Sequence, residues 1–290
     1  MNGVLRHPLR VGARLGWLGA EIVWIALNYI PRVALRSDCS RLHAKARWLQ
    51  WGCRRVIRIF NLDIRAGGPI PQKGLLVSNH LSYLDILILS ALTPAIFVAK
   101  REVKNWPVFG LFARMAGTLF VDRQRRMPAV ASSTSIEALL AGGALVVLFP
   151  EGTSSDGKTV LPFKSALLEP VTTGRHPLSA SAIDYGLHDG DVSEEICYWK
   201  DMILLPHLFN VLSKNGVTAY IRFRDVELVH AGRKELAARL HARVLQLKAH
   251  FEHRALRSGF QNRLSFRTSN QQGRFLGSVR RDCCEHLGAD

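Results

Sequence analysis

Apolar residues along the 290-residue chain fall into two rhythms. Short continuous runs, Leu75-Leu76-Val77-Ser78, Ala95-Ile96-Phe97-Val98, Thr118-Leu119-Phe120-Val121 and Ala144 to Phe149, have the length and composition of strands covered on both faces. Between them, the pattern predicts helices over Ile86 to Leu92, Val108 to Ala116 and about Ser135 to Ala141. Gly142-Gly143 is a fitting stop for the last of these. Further strands are expected at 179–184 and 217–224. Leu236, Leu240, Val244, Leu247 and Phe251 recur at helical spacing within a predicted amphipathic helix over 234–253. Strands alternating with helices predict an α/β fold, a single domain with a central mixed sheet flanked by helices.

The first 65 residues follow another pattern. Leu15 to Ile30 is apolar but broken by Glu21 and bracketed by Arg14 and Arg32. It falls short of the roughly 20 apolar residues of a membrane span. A tilted span with the two arginines snorkelling stays open, but a helix embedded in or lying on the membrane fits better. No clean cleavage site follows, so a signal peptide fits poorly. In Ala44 to Ile59, Trp48, Trp51, Val56 and Ile59 alternate with five basic residues, as in a basic amphipathic helix with interfacial tryptophans. The expected organisation is therefore membrane-associated helices over 1–65, one domain over 66–253 and a poorly ordered basic tail over 254–290.

Charge sharpens this division. Of the formal +16, residues 1–65 hold 12 Lys/Arg against 3 Asp/Glu and residues 254–290 hold 7 against 3, while the middle holds 20 against 17. Basic ends suit a nucleic-acid arm or an anionic leaflet. The apolar insert between the N-terminal charges favours the membrane, at its cytoplasmic face. Cys39, Cys53, Cys197, Cys283 and Cys284 show no redox or zinc spacing and read as reduced thiols. The 11 histidines are scattered without ligand spacing, so no metal is expected.

Chemistry gathers where the first predicted strand gives way to a helix, at Asn79-His80-Leu81-Ser82-Tyr83-Leu84-Asp85. Ser82 and Asp85 also suit a helix start, and a His and an Asp five apart often meet by chance. An imidazole is the usual group for taking a proton from an alcohol near neutral pH, and a carboxylate fixes its tautomer. No Gly-x-Ser-x-Gly nucleophile accompanies the pair, which points to attack by the substrate's own hydroxyl.

Asn79-His80 with Asp85 resembles the Asn-His-x4-Asp block of the glycerolipid acyltransferase family, the lysophosphatidic acid acyltransferase type. Gly117-Thr118-Leu119-Phe120-Val121-Asp122-Arg123 resembles its second block and Phe149-Pro150-Glu151-Gly152-Thr153-Ser154-Ser155 its third, in family order. The resemblance implies an O-acyltransferase of lipid biosynthesis. His80 would be the general base, oriented by Asp85, and the acyl donor a thioester of coenzyme A or acyl carrier protein. No other cofactor is implied. Arg123 and the Glu151-Gly152 region would bind the acceptor's head group, Lys100 would add positive charge near it, and Asn79, Gly117 and Thr153 complete the implied substrate-binding residues. The expected partners are membrane lipids, a lysolipid acceptor and the donor, with no nucleic acid.

Two departures bear on the acceptor. The family's third block carries Arg where this chain has Ser154, and its fourth carries a proline-containing apolar strand where this chain has Leu178-Ser179-Ala180-Ser181-Ala182-Ile183. The family's commonest acceptor, 1-acyl-sn-glycerol-3-phosphate, giving phosphatidic acid, is the first expectation. Lyso-ornithine lipid is the alternative, because relatives acting on it share a run like Glu151 to Gly157 and Ser154 removes a phosphate contact. A basic membrane- or nucleic-acid-binding protein with a structural His-Asp pair is the reading from another class.

Overall fold

The computed structural model describes residues 7–121, 127–172, 174–227 and 231–258, without the side chains of 38–40, 127–132 and 252–258. Seven strands form one mixed sheet: β1 (Leu62–Gly67), β2 (Gly74–Ser78), β3 (Ile96–Lys100), β4 (Leu119–Val121), β5 (Leu145–Leu148), β6 (Leu178–Gly186) and β7 (Val217–Asp225). Their order is β1-β7-β6-β2-β5-β3-β4, parallel throughout except for the antiparallel pair β6 and β7. The helices are α1 (Pro8–Leu27), α2 (Asp38–Ile59), α3 (Leu84–Leu92), α4 (Phe109–Met115), α5 (Met127–Ala141), α6 (Val192–Glu195), α7 (Leu204–Ser213) and α8 (Arg233–Ser258).

The continuous apolar strands are explained by helices on both faces. Side chains alternate along a strand, so Leu76 enters one core with Leu81, Leu84, Ile88, Leu208 and Leu212. Leu75 and Val77 enter the other with Ile136, Leu140, Leu236 and Leu240. The α/β architecture and every strand expected from the pattern are present. The edge strand β1 was not foreseen, because Leu62-Asp63-Ile64-Arg65 mixes polar with apolar and its partner β7 lies about 150 residues on. The boundary expected at 65/66 falls inside it.

The N-terminal helices differ from expectation in which faces they bury. Trp48 is fully buried and donates from Nε1 to the Ile25 carbonyl (3.0 Å), so it joins α2 to α1 rather than meeting lipid. Trp51 is partly buried, with Arg32 over its ring at 4.2 Å. Arg14 donates to the Leu212 and Lys214 carbonyls (2.8 and 2.6 Å) and Arg10 to that of Ser213 (3.0 Å), so both cap the carbonyl end of α7, and Arg14 is engaged there rather than snorkelling. Among the described residues, no helix is long and apolar enough to cross a membrane. Of the cysteines, Cys53 and Cys197 are buried free thiols. Tail residues 259–290, with Cys283 and Cys284, lie outside the described residues.

Candidate active site

Parallel pairing brings the carboxyl ends of β2, β5, β3 and β4 to one edge of the sheet, where α/β proteins place reactive groups. Val77 pairs with Leu148, so the chain leaves β2 through Asn79-His80 beside the point where it leaves β5 through Phe149-Pro150-Glu151. The two exits hold each other. The His80 backbone N–H donates to Glu151 Oε1 (2.8 Å), and the Ser155 N–H donates to the His80 carbonyl (3.0 Å). The Phe149 ring stacks on the His80 imidazole with centroids 4.1 Å apart.

Asp85 lies in the first turn of α3 and is fully buried. Its Oδ2 accepts from His80 Nδ1 (2.8 Å) and from the N–H groups of Leu81 (2.7 Å) and Ser82 (3.0 Å). Its Oδ1 accepts from the Tyr185 hydroxyl (2.5 Å). Both oxygens of the buried carboxylate therefore have hydrogen-bond donors. Because the carboxylate only accepts, His80 Nδ1 carries the proton and Nε2 is left as the basic nitrogen. The His80 side chain remains 21% exposed, whereas Asp85 is at 0%. This is a base with its tautomer set from behind and one nitrogen for a substrate.

The structure places the other expected site residues unequally. Asn79 is buried, and its amide donates to the Ile183 carbonyl (2.9 Å) and accepts from the Ile183 N–H (2.8 Å). It extends the β2–β6 ladder and sets the level of His80. Glu151 is buried too, with Oε2 accepting from the Leu161 N–H (3.1 Å), so both its oxygens hold backbone. Burial pushes its carboxyl up to about 7, against the pull of the His80 and Leu161 N–H groups. Gly152 turns the chain after β5 with φ 76°, a left-handed conformation that glycine adopts freely, and Thr153 beside it is exposed. Lys100 is exposed at the end of β3, about 10 Å from β2 by strand spacing.

Gly117 is not brought to this edge. It precedes β4, at the amino end of the parallel strands, with φ 79° and its open side against Lys45 and Ile96. Its demand is for a left-handed turn between α4 and β4. Arg123 lies outside the described residues. Ser154 donates its hydroxyl to the Tyr198 carbonyl, while the Tyr198 N–H donates to the Leu81 carbonyl (2.8 Å). The segment after β6 thus ties the first and third blocks together. Reading the sequence missed that segment and Tyr185, whose one signal is sitting two residues beyond Ile183 on the same face of β6.

The family profile described as Acyltransferase matches residues 63–179. The lyso-ornithine lipid O-acyltransferase of Brucella abortus (strain 2308) is 38% identical over 244 residues, 79% of this chain and 91% of that one. The 1-acyl-sn-glycerol-3-phosphate acyltransferase of Neisseria meningitidis serogroup B (strain ATCC BAA-335 / MC58) is 34% identical over 173 residues, 59% of this chain and 68% of that one. The crystal structure of the 1-acyl-sn-glycerophosphate (LPA) acyltransferase of Thermotoga maritima shares the fold, with a TM-score of 0.64 at 19% identity over 85% of this chain and 96% of that chain.

Proposed function

From the premise that the chain belongs to the acyltransferase family and is a lysolipid O-acyltransferase, we propose that His80 is its general base and Asp85 the residue that orients it. The acceptor's hydroxyl gives its proton to His80 Nε2 and its oxygen attacks the carbonyl carbon of an acyl thioester. The carbon–sulfur bond then breaks, the imidazolium returns its proton to the departing sulfur, and the thiol leaves with His80 ready to act again. The observation that carries this is the fully buried Asp85 carboxylate on Nδ1 of a partly exposed imidazole. The donor is acyl-coenzyme A or acyl carrier protein, both acidic and suited to a chain of formal charge +16.

The acceptor that fits best is lyso-ornithine lipid. Ser154 stands where the family carries arginine, and its hydroxyl is turned to the Tyr198 carbonyl rather than offering a cation to a phosphate. The similarity to the Brucella lyso-ornithine enzyme over 79% of the chain supports the same reading. Acceptance of 1-acyl-sn-glycerol-3-phosphate is the second reading, supported by the Neisseria relative. The test is a panel of lysolipids with acyl-coenzyme A, followed by thiol release and product mass spectrometry. Turnover should be highest with lyso-ornithine lipid and absent in His80→Ala. A preference for the phosphate acceptor overturns the choice of head group, and turnover by His80→Ala removes His80 from the mechanism.

The enzyme meets its substrate at a membrane through α1. Val23, Trp24 and Leu27 of α1, and Ile30 just beyond it, expose 59%, 50%, 59% and 57% of their surface, at spacings that put them toward one side of the helix. The basic N-terminal region suits the anionic cytoplasmic leaflet.

A further inference from the structure

We propose that Tyr185 is a third member of the base assembly, a positioning residue that acts on His80 through Asp85, and the inference rests on the role given to His80 above. The two oxygens of Asp85 do different work. Oδ2 takes the imidazole N–H and two backbone N–H groups, all from the His80–Ser82 loop and so all set by local chain geometry. Oδ1 is met by Tyr185 Oη at 2.5 Å, from a strand 100 residues away. Both residues are buried, so water does not substitute for that donor.

The hydroxyl has the means to hold this position. Tyr185 stands on β6, two residues beyond Ile183, whose backbone is clamped on both sides by the Asn79 amide. The clamp sets β6 against the β2 exit, and strand alternation points residue 185 to the same face as 183. Tyr185 pairs in register with Ala219 of β7, so the strand is held from its other side as well. Burial, then the Asp85 charge, keeps the phenol well above its ordinary range, so it stays a donor. Fixing Oδ1 fixes the carboxylate plane, and with it the direction from which Oδ2 meets the imidazole. Without the hydroxyl, the carboxylate can turn about its Cβ–Cγ bond toward the backbone donors and leave the imidazolium less well stabilised in the transition state.

Tyr185→Phe removes this contact alone. With acyl-coenzyme A and the best lysolipid of the panel, kcat should fall about tenfold while KM for either substrate stays within about twofold, because the hydroxyl touches neither. The downfield Nδ1 proton resonance of His80, assigned by its loss in His80→Ala, should move upfield in Tyr185→Phe. In a background of Asp85→Asn, where no carboxylate remains to be held, adding Tyr185→Phe should cost no further rate. This double variant also leaves no buried charge short of a donor, so it guards against a single variant that fails to fold. Wild-type kcat and an unmoved resonance in a folded Tyr185→Phe would overturn the proposal, as would a further tenfold loss in the Asp85→Asn background. Retained turnover in His80→Ala would instead overturn the reading of the base itself, so the two failures are distinguishable.

Discussion

Two regions of the molecule are each organised around a buried carboxylate, and they use it in opposite ways. At the sheet edge, Asp85 receives donors from His80, Leu81, Ser82 and Tyr185, none of which is a fixed cation. Among the described residues no fixed cation is paired with it, and it faces the imidazole. In the N-terminal layer, Glu21 faces inward and meets Arg55 in a two-pronged pair at 2.5 and 2.7 Å. Its charge is cancelled, its carboxyl is held below the usual range by Arg55, and nothing is activated. What the pair does is fix the roll of α1, with Glu21, Val11 and Ile25 inside and Val23, Trp24 and Leu27 outside. A carboxylate given neutral donors makes chemistry possible, whereas one given a cation only sets orientation.

The comparison breaks most visibly at Asp85. Asp85→Asn keeps the shape but supplies an N–H₂ where donors already converge, and it withdraws the charge that favours imidazolium. A kcat loss of about 10³ to 10⁴ is expected, on the scale of 4–5 kcal/mol of transition-state stabilisation. Steady-state kinetics beside circular dichroism check it. A loss below tenfold in a folded protein would mean that the charge is not directed at His80.

Glu151 sharpens the contrast as a third buried carboxyl, with two backbone donors and its proton held up to about 7 by burial. The unfolded chain releases that proton near 4.5. Between these values the folded state binds more protons than the unfolded state, so this group's contribution falls as pH rises through that window. The effect is about 3 kcal/mol at most. The urea midpoint of the wild type should therefore decline from pH 4.5 to 7 relative to that of Glu151→Gln, which has no proton to lose. Parallel curves for the two proteins would remove Glu151 as the source.

On the other side of the comparison, Val23→Glu with Leu27→Glu replaces exposed apolar surface on α1 and leaves Glu21–Arg55 intact. Partition onto vesicles of phosphatidylethanolamine and phosphatidylglycerol should fall about a hundredfold, roughly 3 kcal/mol by area and charge. Turnover of detergent-dispersed substrate should not change. Unaltered sedimentation with vesicles would place the membrane contact elsewhere.

What the sequence disclosed divides along the same line. Runs such as Ala144 to Phe149 and the period of α8 announce their elements because a covered strand and a one-sided helix each demand a pattern. His80 and Asp85 are legible because loop and helix start bring them together within five residues. Tyr185, the Leu161 N–H on Glu151 and the Ser154–Tyr198 contact are not, since each joins segments that only the folded sheet brings together. Trp48 misled for a related reason. A tryptophan on a basic helix has the same period whether it faces lipid or α1, and only the Ile25 carbonyl and the packing of α1 against it decide.

The smallest expected effect tests whether the two regions are separate at all. Glu21→Gln keeps one acceptor for Arg55 but turns an N–H₂ toward the guanidinium and removes the charge. Arg55 is 36% exposed, so solvent screens much of the pair, and a stability loss of about 1 kcal/mol is expected, shrinking in high salt. With α1 still held by Val11, Ile25 and the Trp48 bond, kcat in detergent should match the wild type. A fall in kcat would have a structural route. α1 reaches the C-terminal end of α7 through Arg10 and Arg14, and His207 in the first turn of α7 contacts both the Tyr83 hydroxyl (3.2 Å) and the Cys197 carbonyl (3.1 Å). Cys197 precedes the Tyr198 peptide that clasps Leu81 and Ser154. Stability and kcat declining together would show that the roll of α1 is transmitted along this path, making the helix that meets lipid part of the frame that sets the base.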